Sequence, residues 1–340
     1  MKIQNIHLLI AIATTLLLIL ALPTLDTSSG IEYRLKKESN HFLTQENFSE
    51  DPKERWILLK DAIWNNKEEN FVLSSTKQGD TGVIWLKRNT TEPFTVEFSY
   101  YVGGGNGGNG FVFMFYKEGN FDPGMGRYLG FSCRPEENKP CLQKEAPGYG
   151  IEWDTLYNNG YRLGDPSPSH IALIKDSTYN HLIHVNDTST KDNQWHKAKI
   201  VVTKVTVKVY VDQKLVLTWT GPIDRTYNRI GFSASSMVHY DWHIIDNFKM
   251  YGNTVKITGL RPGWRVEIKN FTMDPSSKNV PLSVNVLPGT NVGELDMTDI
   301  DGPLRGYFFI FDEFGNQLFQ SELFDEIWGG DTLTLQSIIH

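Results

Sequence analysis

The sequence predicts an all-β protein: a large β-sandwich over residues 46–252 followed by a small accessory β-sandwich over residues 253–340. Three observations carry that expectation. Phe94, Val96, Phe98 and Tyr100 alternate with polar residues, as do Val205, Val207, Val209 and Val211, so each run is a strand with one face toward a core. Residues 110–116 are apolar throughout, which marks a central strand covered on both faces. Turns rich in Gly and Asn separate such runs, and helical periodicity is almost absent.

Residues 1–25 contain Lys2 and then an apolar run over 8–22, expected to be a cleaved export signal or a retained N-terminal membrane anchor. Either would place the chain outside the cell or at its surface. Residues 26–45 are polar with little apolar periodicity and are expected to form a stalk. The full 340 residues suffice for one large core and one small one. A formal net charge of −7 argues against nucleic acid as the main partner. From Asn253 onward there are twelve acids against six bases, so nearly all of that excess belongs to the second unit. Its strands are expected at residues 255–257, 264–268, 282–286 and 306–311. Cys133 and Cys141 are the only cysteines; in an exported chain a disulfide is the default, because a two-cysteine zinc site would need further ligands nearby. Asn47, Asn89, Asn186 and Asn270 each begin an Asn-x-Ser/Thr sequon.

The chemistry is concentrated in residues 151–171. On a strand, Glu152 and Asp154 project from the same face, because side chains alternate with period two, and Asn158, Asp165 and His170 can return to that face through a loop. Hard oxygen donors with one imidazole suit Ca²⁺, or Ca²⁺ beside a transition ion such as Mn²⁺. The same composition also suits an ordinary polar turn. Residues 103–110 read Gly-Gly-Gly-Asn-Gly-Gly-Asn-Gly, either a flexible turn or a loop that lets a ligand approach main-chain groups. The loop lacks the Lys-Ser/Thr and following helix of a phosphate loop.

In their order along the chain, these segments resemble the L-type (legume-like) lectins, concanavalin A-like jelly rolls also found in prokaryotic surface proteins. Glu152, Asp154, Asn158, Asp165, Pro166, His170 and Ile171 fall on that family's metal-loop pattern. The resemblance implies calcium on Asp154, the Leu156 carbonyl, Asn158 and Asp165, and a second ion on Glu152, Asp154, Asp165 and His170. It implies sugar contacts from Asn109, Gly110 and Asn158. Leu156 stands where the family has an aromatic ring, leaving Tyr157 as the nearest substitute. Asn109 stands where the family has an aspartate; the amide removes a charged acceptor, whose hydrogen bonds are roughly twice as strong as neutral ones. Residues 229–251 match the family's Gly-Phe-Ser-Ala strand, a variable loop at Met237, Val238, His239, Tyr240 and Asp241, and a last strand. That loop flanks the sugar pocket in the family, making His239 and Tyr240 candidate contacts, whereas His243 is expected to be structural.

The implied function is a non-catalytic, calcium-dependent module binding a glycan or polysaccharide. Two alternatives stay open. A structural or adhesive protein could keep the metal loop without sugar binding, as Asn109 and Leu156 would suit. A glycoside hydrolase of this fold would need Glu-x-Asp-x-x-Glu for its two carboxylates, and Tyr157 occupies the second glutamate's place.

Overall fold

The structure is a computed structural model that describes residues 31–38, 43–90, 93–116, 123–132, 148–158, 165–224, 226–272, 282–300 and 303–339. The expected signal segment, Cys133 and Cys141 lie outside the described residues. Among the described residues there is no α-helix, and strands are joined by turns and two single-turn 3₁₀ segments.

Two sheets form the sandwich. In spatial order, the first runs His181–Asn186, His170–Lys175, Gly148–Asp154, Gly110–Tyr116, Arg229–Ser235, Thr81–Asn89 and Trp56–Lys60. The second runs Lys214–Thr220, Thr206–Val211, Trp195–Val202, Phe94–Gly103, Trp242–Gly252, Asn70–Ser74 and Ile63–Asn65, with Thr44–Glu46 paired to Trp242–Gly252. Every strand pair in both sheets is antiparallel.

The alternating runs turn their apolar residues inward, except Val205, which lies exposed in the bend before its strand begins at Thr206: Phe94, Val96, Phe98 and Tyr100 from one strand meet Phe113, Trp153 and Phe232 from the facing sheet. Phe98 packs edge-on against Phe232 at 4.8 Å, a favoured aromatic geometry. The outer face of the first sheet carries a second apolar cluster, in which Val112, Met114, Ala172 and Ile174 are covered by Leu129 and Phe131. That cover is why Gly110–Tyr116 is apolar at every position: both of its faces are dry.

The chain leaves the sandwich at Asn253, whose side chain bonds the Thr95 hydroxyl and the Phe94 and Val202 carbonyls. A second pair of sheets follows, one of them built on Arg265–Thr272 paired with Leu304–Phe311. The other sheet overturns the expectation of a stalk over residues 26–45. Ile31–Lys37 is a strand, paired antiparallel along its whole length with Thr332–Ile339. Its one buried apolar residue, Leu35, joins the second core beside Val255, Ile257 and Leu333. Tyr33 packs against the same core, but two inward residues in a charged segment leave little periodic signal, and the missing stability comes from a backbone ladder with a partner some 300 residues away. A chain beginning at residue 39 should therefore lose this strand and expose the edge of Thr332–Ile339. Thermal unfolding should show the second unit melting earlier than in a chain beginning at residue 26, while the sandwich transition stays in place.

Candidate functional site

One strand pairing brings the two candidate loops together. Gly110, at the end of the glycine loop, pairs with Asp154, at the start of the acidic loop, and Asp154 also pairs with His170. A Cβ on Gly110 would lie 2.1 Å from the Trp153 carbonyl oxygen, so only glycine permits this approach. Gly110 is thus explained by strand packing before any ligand is considered. The loops are then stitched: the Thr155 N–H donates to the Asn109 carbonyl at 3.1 Å, and the Thr155 hydroxyl donates to the Gly108 carbonyl at 2.8 Å.

Asp154, Leu156, Asn158 and Asp165 form one interlocked set. The Leu156 N–H donates to Asp154 Oδ1 at 2.9 Å, the Asn158 N–H donates to Asp165 Oδ2 at 2.5 Å, and the Asn158 side-chain amide donates to the Leu156 carbonyl at 2.8 Å. Burial, followed by repulsion from Asp165 and Glu152, pushes the Asp154 carboxyl well above its ordinary range. Burial likewise raises Asp165, against the opposing Asn158 N–H. Carboxylates held together at this cost are the donor set a divalent cation relieves, so the residues fit calcium.

Glu152 has different company. His170 Nε2 lies 3.1 Å from Glu152 Oε1, and His181 Nε2 lies 2.7 Å from the same oxygen. Burial alone would push the Glu152 carboxyl up, but the two imidazoles outweigh it and leave it below its ordinary value. The second-ion set expected from the sequence was Glu152, Asp154, Asp165 and His170. Among the described residues, the ligand atoms that gather within 4.8 Å of one another are those of Glu152, His170 and His181. The partner that completes this group is His181, which the sequence pattern did not single out.

The variable loop closes the other side. The Asn106 and Gly107 N–H groups donate to the Tyr240 carbonyl, and the Tyr240 N–H donates to Asn106 Oδ1 at 2.9 Å. His239 is exposed, Tyr240 is half-buried and Tyr157 is 45 % exposed, so three candidate contacts reach solvent around the joined loops. Met237 and Val238 are exposed beside them. Asn109 is only 2 % exposed, and its Oδ1 lacks a hydrogen-bond partner, so the amide sits beneath the loop. His243 is buried, with Nδ1 2.7 Å from the Ser74 hydroxyl, and burial lowers its pKa to about 4, leaving a neutral structural ring.

Asp241, expected among the specificity candidates, faces inward instead. Its carboxylate accepts from the Gly105 N–H at 2.9 Å and the Gly108 N–H at 2.7 Å, and Lys191 Nζ lies 3.6 Å away. It holds the glycine loop in shape; its position one residue before a strand gave no hint of that role. Asp241→Ala should strand the buried Gly108 N–H and release the part-buried Gly105 N–H, lowering stability by about 1–3 kcal/mol. Hydrogen exchange over residues 103–110 should accelerate strongly in Asp241→Ala, and less in Asp241→Asn, which keeps one carbonyl acceptor.

No family model matches the chain, and no curated protein matches it in sequence. Solved structures do. Peanut lectin is 18 % identical with a TM-score of 0.51, covering 61 % of this chain and 95 % of the lectin. A lectin from Bauhinia forficata, solved with GalNAc, is 15 % identical with a TM-score of 0.51, covering 63 % and 97 %. The basic winged bean lectin, solved with Tn-antigen, is 16 % identical with a TM-score of 0.50, covering 63 % and 98 %. With its two antiparallel sheets and the site at the joined loops, the first domain has the legume-lectin, concanavalin A-like fold.

Proposed function

We propose that the sandwich is a calcium-dependent carbohydrate-binding module of an exported or cell-surface protein. One observation carries this proposal: the glycine loop and the interlocked Asp154–Leu156–Asn158–Asp165 set meet at one end of the sheets, ringed by the solvent-facing Tyr157, His239 and Tyr240. Calcium on Asp154, the Leu156 carbonyl, Asn158 and Asp165 would order the loop before a glycan arrives, reducing the entropy lost on binding. Tyr157 and Tyr240 offer ring faces to sugar C–H groups, and the Asn158 amide offers a donor. The Bauhinia and winged bean lectins, solved with GalNAc and Tn-antigen, support a saccharide as the ligand class.

A second reading has its own support. Asn109 is a neutral, buried amide and Leu156 carries no ring, so a structural or adhesive module that keeps calcium but not sugar fits the same residues. Catalysis by paired carboxylates is disfavoured, because Tyr157 occupies the position a second glutamate would need.

Calorimetric titration of calcium into chelator-treated protein should give saturable heat that Asp154→Ala abolishes. A glycan screen of the calcium-loaded protein should then give signals that vanish in chelator. Calcium heat without glycan signals selects the structural module; no calcium heat overturns the metal loop itself.

A further inference from the structure

The strand His181–Asn186 lies at the edge of the first sheet. Its pairing sets Asn186 opposite His170 and His184 opposite Ala172, so those two share a face with Glu152 and His170. Strict alternation would put Leu182 next on that face and turn His181 toward the core. The register slips between Leu173 and Ile174, and Ile174 pairs with His181 instead. This bulge re-aims the His181 ring onto the face that carries Glu152 and His170.

Three ligand atoms from three adjacent strands thus converge, with the His170 and Glu152 side chains buried and the His181 side chain 14 % exposed. His181 Nε2 lies 2.7 Å from Glu152 Oε1 and is buried without a hydrogen-bond partner. Two imidazole nitrogens thus face a single buried oxygen, one of them without a hydrogen bond to it. Tetrahedral ligands about 2.1 Å from a zinc ion lie about 3.4 Å apart. The two N···O separations, 3.1 and 2.7 Å, are shorter than that spacing, so the ligand atoms have to move apart to admit an ion.

We propose that Glu152, His170 and His181 form a transition-metal site of zinc-like preference, with an open fourth position, that clips the edge strand to the two strands behind it. Two imidazoles and one carboxylate select a borderline ion over calcium, which prefers six to eight oxygens. The site takes its ligands from this chain's strands and draws on neither Asp154 nor Asp165. It deepens the metal-loop assignment above by giving the second ion its own ligands and its own metal class, and the two can fail separately.

The test titrates the chelator-treated full chain with Co²⁺ and Zn²⁺, with and without excess Ca²⁺. Expected are the intense visible bands of low-coordinate cobalt, displaced by zinc and unmoved by calcium. His181→Ala should weaken zinc binding by more than about tenfold, the lower end of what loss of even an outer-shell partner costs. The same variant should leave the calcium heat unchanged, and circular dichroism should show the sheets intact. His184→Ala is the control, its ring 6.4 Å from that of His170 but outside the triad, and it should bind zinc as the native chain does. Unchanged zinc binding in His181→Ala, equal loss in His184→Ala, absence of cobalt bands, or displacement of cobalt by calcium would each overturn the proposal. Loss of calcium heat with zinc binding intact would instead count against the calcium loop alone.

Discussion

The close approach of Gly110 to the Trp153 backbone is the constraint on which the rest of the site depends. It lets two central strands pair to their very ends, so Phe111 and Trp153 stack almost parallel, with centroids 4.7 Å apart, just inside the loops. With that stack as a floor, the glycine loop and the acidic loop leave the sheet side by side and bond to each other through Thr155. Any side chain at position 110 would push the strands apart at the point where both loops begin. A glycine that looks like loop flexibility in the sequence is therefore a packing requirement, and the order of the site follows from it.

Above this floor the difficulty is electrostatic. Glu152, Asp154 and Asp165 crowd into a poorly solvated region, and burial disfavours the charged form of each. Imidazoles relieve Glu152, while backbone and side-chain amides relieve the other two only in part. A protein that wanted only a stable loop could use neutral residues at less cost. The acids divide into a nitrogen-rich group at Glu152, His170 and His181 and an oxygen-rich group at Asp154 and Asp165, and the proposed metal assignments rest on that division.

How much of this was legible in the sequence depended on range. Phe94 to Tyr100 and Val207 to Val211 could be read as strands because alternation is a local pattern, and the acidic loop stands out because Glu152, Asp154, Asn158, Asp165 and His170 lie within about twenty positions of one another. His181 sits on the next strand, and only a bulge turns it to the right face; pure alternation assigns it to the core. Asp241 is one acid in a loop of candidates, and its inward aim depends on the glycine loop more than 130 residues earlier. Ile31–Lys37 reads as a stalk in the sequence for the same reason: its order comes from a partner strand at the far end of the chain.

That last pairing changes how the two units relate along the chain. Because Ile31–Lys37 and Thr332–Ile339 pair within the second unit, the sandwich is topologically an insertion between the first strand of the small module and the remainder. Closing so long a loop is entropically slow, although the cost rises only with the logarithm of loop length. A folded sandwich shortens the effective loop, since its own ends lie where the chain enters at Thr44–Glu46 and leaves at Trp242–Gly252, two strands paired directly with each other. The sandwich therefore has reason to fold first and deliver both ends of the chain to the small module. On this order of events, contacts such as the Gly252 N–H to the Gly329 carbonyl and the Tyr251–Trp328 ring pair form last. The small module then locks a sandwich whose site is already built.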